Sequence, residues 1–277
     1  MEKSDTPLMS QYAEVVCNIA TTAGKQIHEA YMQSLRIEHK DGDVHNEVTV
    51  ADREVGTWIE GELRAQFPAH EIYSEENHEH IDTISTHKYL WTIDPIDGTS
   101  NFARRIPLFS TVISLVWLGK PVFSVVHNPI TREMFVFAKG EGVWRDGERV
   151  RTSMKSDPKD SFAILRPGRN KTLQPWMFQI VESFTGGAVA KVANYGASAY
   201  DLSLLASGSV EVVIYGSMTT ADIAGTIGMV REAGGEVYSP LGVPVEITLD
   251  PQPLIAVASP ELFVKLKPLL HLELFPS

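Results

Sequence analysis

The stretch WTIDPIDGTSNF, Trp91 to Phe102, places Asp94 and Asp97 three residues apart around a proline, after the apolar run Leu90–Trp91–Thr92–Ile93. Burying unpaired carboxylates is costly, so two of them where a buried strand ends at Asp94 call for a positive counterpart. Other acidic residues also fall at the edges of expected elements. Asp52 closes Val48–Thr49–Val50–Ala51–Asp52, Glu75–Glu76 follow Ile72–Tyr73, and Asp222 opens a helix after Thr219–Thr220–Ala221. Oxygen donors without His or Cys suit a hard cation such as Mg²⁺. Helix capping explains Asp222 equally well, because Asp favours helix starts. It does not explain Asp94 and Asp97 together, since turn chemistry needs no paired carboxylates beside a buried strand.

The residues between and after the pair fit the same chemistry. Pro95 stiffens the turn, and Gly98 permits a conformation or a close approach barred to other residues. Gly98–Thr99–Ser100 then start a helix whose free N–H groups suit a phosphate. A cation beside a phosphate, with the Thr99 hydroxyl at hand, is a constellation for phosphoryl hydrolysis.

The elements that must carry these groups follow from periodicity. Tyr12, Val15, Val16, Ile19, Ala23, Ile27 and Tyr31 recur at helical spacing. A polar loop surrounds Lys40–Asp41–Gly42–Asp43, and a second helix runs from about Val50 to Phe67, stopped by Pro68. Strands follow at Glu71–Ser74 and Tyr89–Asp94. Ser110–Arg151 reads as a β-meander with turns at Gly119–Lys120, Asn128–Pro129 and Asp146–Gly147. Met154–Asp160 is polar and is the expected hinge between an N-terminal half, 1–153, and a C-terminal half, 154–277. Beyond it, strand and helix alternate: Phe162–Leu165, Thr172–Phe184, Ala188–Val192, Ala199–Ser207, Val210–Tyr215, Asp222–Ala233, Glu236–Tyr238 and Leu254–Ala258, then a closing helix. That order predicts α/β layers with helices flanking sheets.

Composition narrows the function classes. The 277 residues carry a net charge of −11, which argues against nucleic acid or an anionic membrane as the main partner. Cys17 is the only cysteine, so there is no internal disulfide and no Cys/His zinc pattern. The opening MEKSDTPLMS lacks a signal-like apolar core, and no apolar run reaches the roughly 18–20 residues that span a bilayer. A cytoplasmic address is the simplest expectation.

DPIDGTSNF resembles the first signature of the inositol monophosphatase family, the lithium-sensitive, Mg²⁺-dependent phosphatases. EVTVADREV, SEEN and ADIAGTIGMVREAGGEV resemble further family segments along nearly the whole chain. Ser74 stands where the family has glycine, and Ala221 where it has tryptophan. The resemblance implies an α–β–α–β–α sandwich, usually a homodimer, acting on a small phosphorylated metabolite with two or three Mg²⁺ ions. It assigns Glu75, Asp94 and the Ile96 carbonyl to one cation, and Asp94, Asp97 and Asp222 to a second. By the same resemblance, Glu75 would also touch a weaker third. Asp52 and Thr99 would orient the attacking water, with Glu75 beside them. Gly98, Thr99 and Ser100 would hold the phosphate, with Gly196, Ala197 and Ser198 on the substrate side and Lys40 at the mouth.

Rival chemistries fit less well. Haloacid-dehalogenase phosphatases also carry an Asp-x-Asp-Gly-Thr motif, but with the aspartates two apart and the first as nucleophile. A cysteine phosphatase needs arginine six residues after the cysteine, where Ala23 stands. Gly140-x-Gly142 sits in a hairpin and is no dinucleotide fingerprint. A phosphate- or metal-binding module without catalysis is the alternative of a different class. His78-x-His80 reads as an exposed polar loop, as does the segment with Arg166, Arg169 and Lys171.

Substrate choice turns on one position. Members of the family that prefer inositol phosphates hold the ring hydroxyls with a glutamate seven residues before the second-signature aspartate; here that residue is Tyr215. Tyrosine offers one hydroxyl and a flat apolar face, where a carboxylate accepts several hydrogen bonds. The expectation is a Tyr215 that meets substrate, with inward packing as its alternative. Inositol 1-phosphate, histidinol phosphate, a sugar bisphosphate and a 3′-phosphonucleotide all stay open.

Overall fold

Two kinds of hydrophobic pattern run through the chain, and each finds its own layer in the computed structural model, which describes residues 10–33, 37–39, 47–76, 81, 83–219 and 223–275. Helical spacing produces α1 (Ser10–Met32) and α2 (Val50–Gln66), with β1 (Ile37–His39) and β2 (Glu47–Thr49) pairing antiparallel between them. Next come β3 (Glu71–Ser74), β4 (Tyr89–Asp97), the single-turn α3 (Thr99–Ala103) and β5 (Ser110–Trp117). The meander continues through β6 (Lys120–His127), β7 (Met134–Ala138), β8 (Gly142–Arg145) and β9 (Glu148–Val150). Strands β3 to β9 form a seven-stranded sheet in sequence order.

The second sheet has five strands and a mixed order. It draws on β10 (Phe162–Arg166), then α4 (Gln174–Ser183), β11 (Lys191–Ala193), α5 (Ser198–Ala206) and β12 (Val212–Thr219). After these come α6 (Ala224–Glu232), β13 (Glu236–Tyr238), β14 (Pro251–Val257) and α7 (Pro260–Leu266). Its order is β11-β10-β12-β14-β13, parallel between β11, β10 and β12 and antiparallel beyond.

Among the described residues, three large apolar cores bind the layers, beside a small cluster of Ile84, Leu90, Val116 and Ala224. One lies between α1, α2 and the first sheet, around Ile59, Trp91 and Phe123. A second lies between the two sheets, where α5 and α6 bring Leu202, Ile227 and Val230 against Val112, Val126 and Val213. A third lies under α4 and α7, around Trp176, Ile214 and Leu262. The result is the α–β–α–β–α sandwich. Because α5 and α6 belong to the C-terminal part yet pack on the first sheet, the two sheets share one helical layer.

The turns obey local chemistry. Leu118–Gly119 and Asp146–Gly147 adopt positive φ at both residues, 48° and 77° and then 52° and 84°, which closes tight hairpins with the twist of their strands. At α4 the helix stops at Ser183 and runs into a wider turn, Phe184–Ala188, where Gly187 takes a φ of 102°.

His127 closes β6 beneath α1, its Nδ1 3.2 Å from the Ala20 carbonyl oxygen. Burial lowers its pKa from 6.5, against the opposing pull of the Ala20 carbonyl and the Asp146 charge. His70, stacked at 4.5 Å on Tyr89, is lowered by burial too. Both rings are held neutral in the fold. They therefore contribute stability that is present above the unfolded value of 6.5 and is lost as pH falls through the lower folded values. The melting temperature is expected to drop between pH 7 and pH 5, and less steeply in His127→Gln (pH values on the order of those bracketing a histidine). Equal slopes in the two proteins would remove His127 from the account.

Candidate active site

Strand β4 does not stop at Asp94; it runs on to Asp97 through an irregularity. Asp94 pairs with Val112 and Asp97 with Ser110, so three steps on β4 match two on β5. Alternation along a regular strand would send residues three apart to opposite faces. The bulge absorbs one residue, and both carboxylates come to the face of Ser110 and Val112. Pro95, which has no N–H to offer a ladder, sits inside the bulge, and its carbonyl accepts the Thr111 hydroxyl at 2.9 Å. A Cβ on Gly56 of α2 would come within 3.0 Å of the Pro95 ring, so this glycine lets α2 seat against the bulge.

Both aspartates are buried and held. Asp94 Oδ1 accepts the Ile96 N–H at 3.0 Å. Asp97 faces the start of α5: Oδ1 accepts from Ser198 N at 2.6 Å, and Oδ2 from Ala199 N at 2.9 Å, Tyr200 N at 3.2 Å and Ser110 Oγ at 3.2 Å. Burial raises the Asp97 pKa, while those N–H groups and the Arg166 charge pull it back. One carboxylate thus ties the bulge of the first sheet to a helix that leads into the second. Tyr200 secures that helix from its other side, donating to Glu133 Oε2 at 2.5 Å, with Arg145 paired to the same carboxylate.

Gly98 adopts φ 95° at the start of α3, and any side chain there would meet Ala197 Cβ and the Leu108 carbonyl oxygen at 3.1 Å. Thr99 follows. Its Oγ1 lies 3.1 Å from the Ile96 carbonyl oxygen and 3.4 Å from Oδ1 of Asp52, which is fully enclosed on α2. Asn101 Nδ2 donates to the carbonyls of Leu108 and Tyr195, both at 2.6 Å, and so fixes the Tyr195–Gly196 loop against α3. Asn101 is thus a positioning residue whose only sequence signal is its place in DGTSNF.

A cavity of about 710 Å³ opens over these groups. Glu75, Asp94, Ile96, Asp97, Gly98, Thr99 and Ser100 line one wall. Ser198 lines it from the start of α5 and Gly196 from the loop before that helix, and Asp52 reaches it through Thr99. A larger cavity of about 1170 Å³, between Thr83–Ser85 and Pro244–Asp250, contains none of these residues. Lys40, His78, His80 and Asp222 lie outside the described residues.

Three expectations need correction. Tyr215 does not meet substrate: it is 0% exposed, and its hydroxyl donates to the Ser198 carbonyl at 2.9 Å and lies 3.2 Å from Asp201 Oδ2. Strand alternation turns the ring into the middle layer, where it braces the start of α5. Ala197, also 0% exposed, packs behind Gly98 and not on the cavity. The solvated loop expected around Arg166, Arg169 and Lys171 holds only in part: Arg166 is half-buried at the end of β10 and lines the cavity, Arg169 lines it from an exposed loop, and Lys171 is exposed and does not.

The donors present are of the right kind for a hard divalent cation: carboxylates and a carbonyl, with no thiolate or imidazole among the lining residues. Among the described residues no three acidic, His or Cys side chains converge as a ready metal cluster. One reason is geometric, since Asp97 directs both oxygens to N–H groups of α5.

The family model of the inositol monophosphatase family matches residues 8–270. A chloroplastic bifunctional phosphatase of Arabidopsis thaliana is 31% identical over 239 residues, 85% of this chain and 66% of that longer protein. Inositol monophosphatase 2 of Mus musculus is 28% identical over 237 residues, covering 84% of this chain and 81% of its own. The crystal structure of the extragenic suppressor protein suhB from Bartonella henselae superposes with a TM-score of 0.83 at 26% identity, over 94% of this chain and 98% of that one. With a model match that spans both sheets and the bulged strand, the chain belongs to the inositol monophosphatase family and is a phosphatase.

Proposed function

We propose that the protein is a Mg²⁺-dependent phosphomonoesterase that transfers the phosphoryl group of a small metabolite to water, with no phosphoenzyme. The observation that carries this reading is the β4 bulge, which turns Asp94 and Asp97 to one face beside a cavity that also holds Glu75 and Thr99. When bound among these oxygens, Mg²⁺ would supply Lewis acidity toward the phosphate and acidify water.

The chain's own groups supply the rest. Gly98, Thr99 and Ser100 line the cavity at the start of α3, and their peptide N–H groups are the donors a phosphate oxygen would accept from. Thr99 has a single hydroxyl proton. With that proton given to Asp52 or to the Ile96 carbonyl, its oxygen lone pairs face outward to accept from water and so orient the nucleophile. Asp52, enclosed on α2, fixes the Thr99 rotamer and accepts a proton passed along that hydrogen bond. The homodimer carried by the resemblance belongs to the same proposal, and light scattering reads it directly.

Phosphate release from a panel of monoesters, with Mg²⁺ and then with excess chelator, tests the reading. Release that survives chelation sets aside the metal dependence, and covalent phosphate trapped on an aspartate sets aside the direct attack by water. In Thr99→Ala, kcat is expected to fall about 10²-fold while KM changes little, because the lost contact matters mainly in the transition state. An unchanged kcat would reduce Thr99 to a helix-start residue. Lithium is expected to inhibit by competing for a cation position, and indifference to it would weaken the analogy with the family.

A further inference from the structure

The cavity has two poles. Glu75, Asp94 and Asp97 make one wall acidic, while the part built from the second sheet contributes Arg166 and Arg169 and no carboxylate among the described lining residues. Asn170, Asn194 and Ser217 complete that wall with neutral polar groups. A glutamate suited to polyol hydroxyls is not available from Tyr215, whose side chain is turned inward.

The basic wall is built. Arg166 ends β10 in register with Tyr215 of β12, and its Nη1 donates to Ser198 Oγ at 3.0 Å. The next residues lie directly on the neighbouring strand. A Cβ on Gly216 would stand 2.0 Å from the Pro167 carbonyl oxygen, and one on Gly168, at φ 73°, would be 3.3 Å from Ser217 N. Only glycines permit that contact, and it clamps the segment between the two arginines. On the far side, Asn170 Oδ1 accepts the Thr172 N–H at 3.0 Å, and the Asn170 carbonyl accepts from Leu173 and Gln174. Arg169 therefore projects from a segment fixed at both ends.

Arg166 also offsets the charge of Asp97 and of the deeply buried Asp201. That role engages Arg166 in part, whereas the more exposed Arg169 makes no hydrogen bond or ion pair among the described residues. Guanidinium groups match phosphate oxygens in a planar, two-bond geometry.

We infer that the substrate carries a second phosphate, bound by Arg169 with help from Arg166, while the phosphate to be cleaved sits over Thr99. The inference rests on the phosphatase reading above and narrows it to small bisphosphorylated metabolites. A cavity of about 710 Å³ accommodates such a molecule.

The test compares kcat/KM for fructose 1,6-bisphosphate and adenosine 3′,5′-bisphosphate with values for fructose 6-phosphate and inositol 1-phosphate, in wild type and Arg169→Gln. The expected result is a wild-type preference for at least one bisphosphate of about tenfold or more, which shrinks by about tenfold in Arg169→Gln. The two bisphosphates tell a sugar from a nucleoside scaffold. Arg169→Lys retains charge without the planar fork, and is expected to recover part of the preference. If monophosphates are cleaved as well as bisphosphates and Arg169→Gln leaves the ratio unmoved, the inference falls and the phosphatase reading stands. If wild type releases no phosphate from any of the four with Mg²⁺ present, the phosphatase reading itself fails for these substrates and takes the inference with it.

Discussion

Asp94→Asn is expected to lower phosphate release by about 10²–10³-fold, the scale on which removal of a single charge-stabilising group costs an active site. The prediction is specific because the substitution is conservative in every other respect. The Asn carbonyl can still accept the Ile96 N–H that Asp94 Oδ1 accepts at 3.0 Å, so the bulge keeps its internal bond. Volume is unchanged, and the side chain stays on the face of Val112. What disappears is the negative charge of one buried side chain. Without cation, a neutral amide is less costly to keep buried than a carboxylate, so the variant is expected to melt no lower than wild type.

The two proteins should separate when Mg²⁺ is added. A ligand present at 100 times its dissociation constant stabilises the folded state by about 2.7 kcal/mol. In a chain of this size that raises the melting temperature by several degrees, at roughly 2–4 °C per kcal/mol. Wild type should show that rise and Asp94→Asn should not. An inactive variant that still gains the full Mg²⁺ shift would leave Asp94 with a role in turnover but none in holding the cation. A variant that melts far below wild type in chelator would report damage to the bulge.

Much of this site can be read in the residue order because it is local. Asp94, Pro95, Asp97, Gly98 and Thr99 occupy one short segment, and their chemistry follows from type and spacing. The layers were legible too, since meander and helix periodicities are strong in the runs from Tyr12 to Tyr31 and from Ser110 to Arg151. What escaped was side-chain direction across long sequence distances. Tyr215 is at the position that would select substrate, yet whether its ring points to the cavity depends on the register of β12 against β10, which no local pattern encodes. Arg166 and Arg169 looked like charges on a loop because nothing nearby reveals that Gly216, some 50 residues on, leaves room for their segment to dock. The continuation of β4 to Asp97 was hidden by its proline, which ordinarily ends a strand and here sits in a bulge.

The same logic gives opposite signs to two glycine substitutions in helices. Gly225 of α6 rests on the first sheet so closely that an added Cβ would lie 2.2 Å from Ser114 Oγ and 2.4 Å from Ser124 Cβ. Those serines are fully buried and bonded to each other at 2.9 Å, so neither can swing to solvent. One turn along, a Cβ on Gly228 would come within 2.6 Å of the Phe137 ring and 2.8 Å of Pro121. Helix α6 is thus set against the sheet by two glycines on one face. Gly225→Ala gains up to about 1 kcal/mol of helix propensity. Overpacking of a rigid core costs about 1–3 kcal/mol or more, and contacts this short place it at the upper end. The net expectation is destabilisation of about 1–3 kcal/mol, visible as a melting temperature lower by several degrees. Gly61 supplies the contrast: it sits on the exposed face of α2 with nothing within 4 Å of an added Cβ. Gly61→Ala is expected to raise stability by about 0.5–1 kcal/mol through propensity alone. The difference reaches the site as well. Ile223, the residue just before α6, lines the cavity, so lifting the helix shifts that wall, and Gly225→Ala should raise KM where Gly61→Ala leaves it alone. Equal melting temperatures for the two variants would mean that α6 can move off Ser114 and Ser124 at little cost, and that the close seating of this helix is not what fixes the cavity.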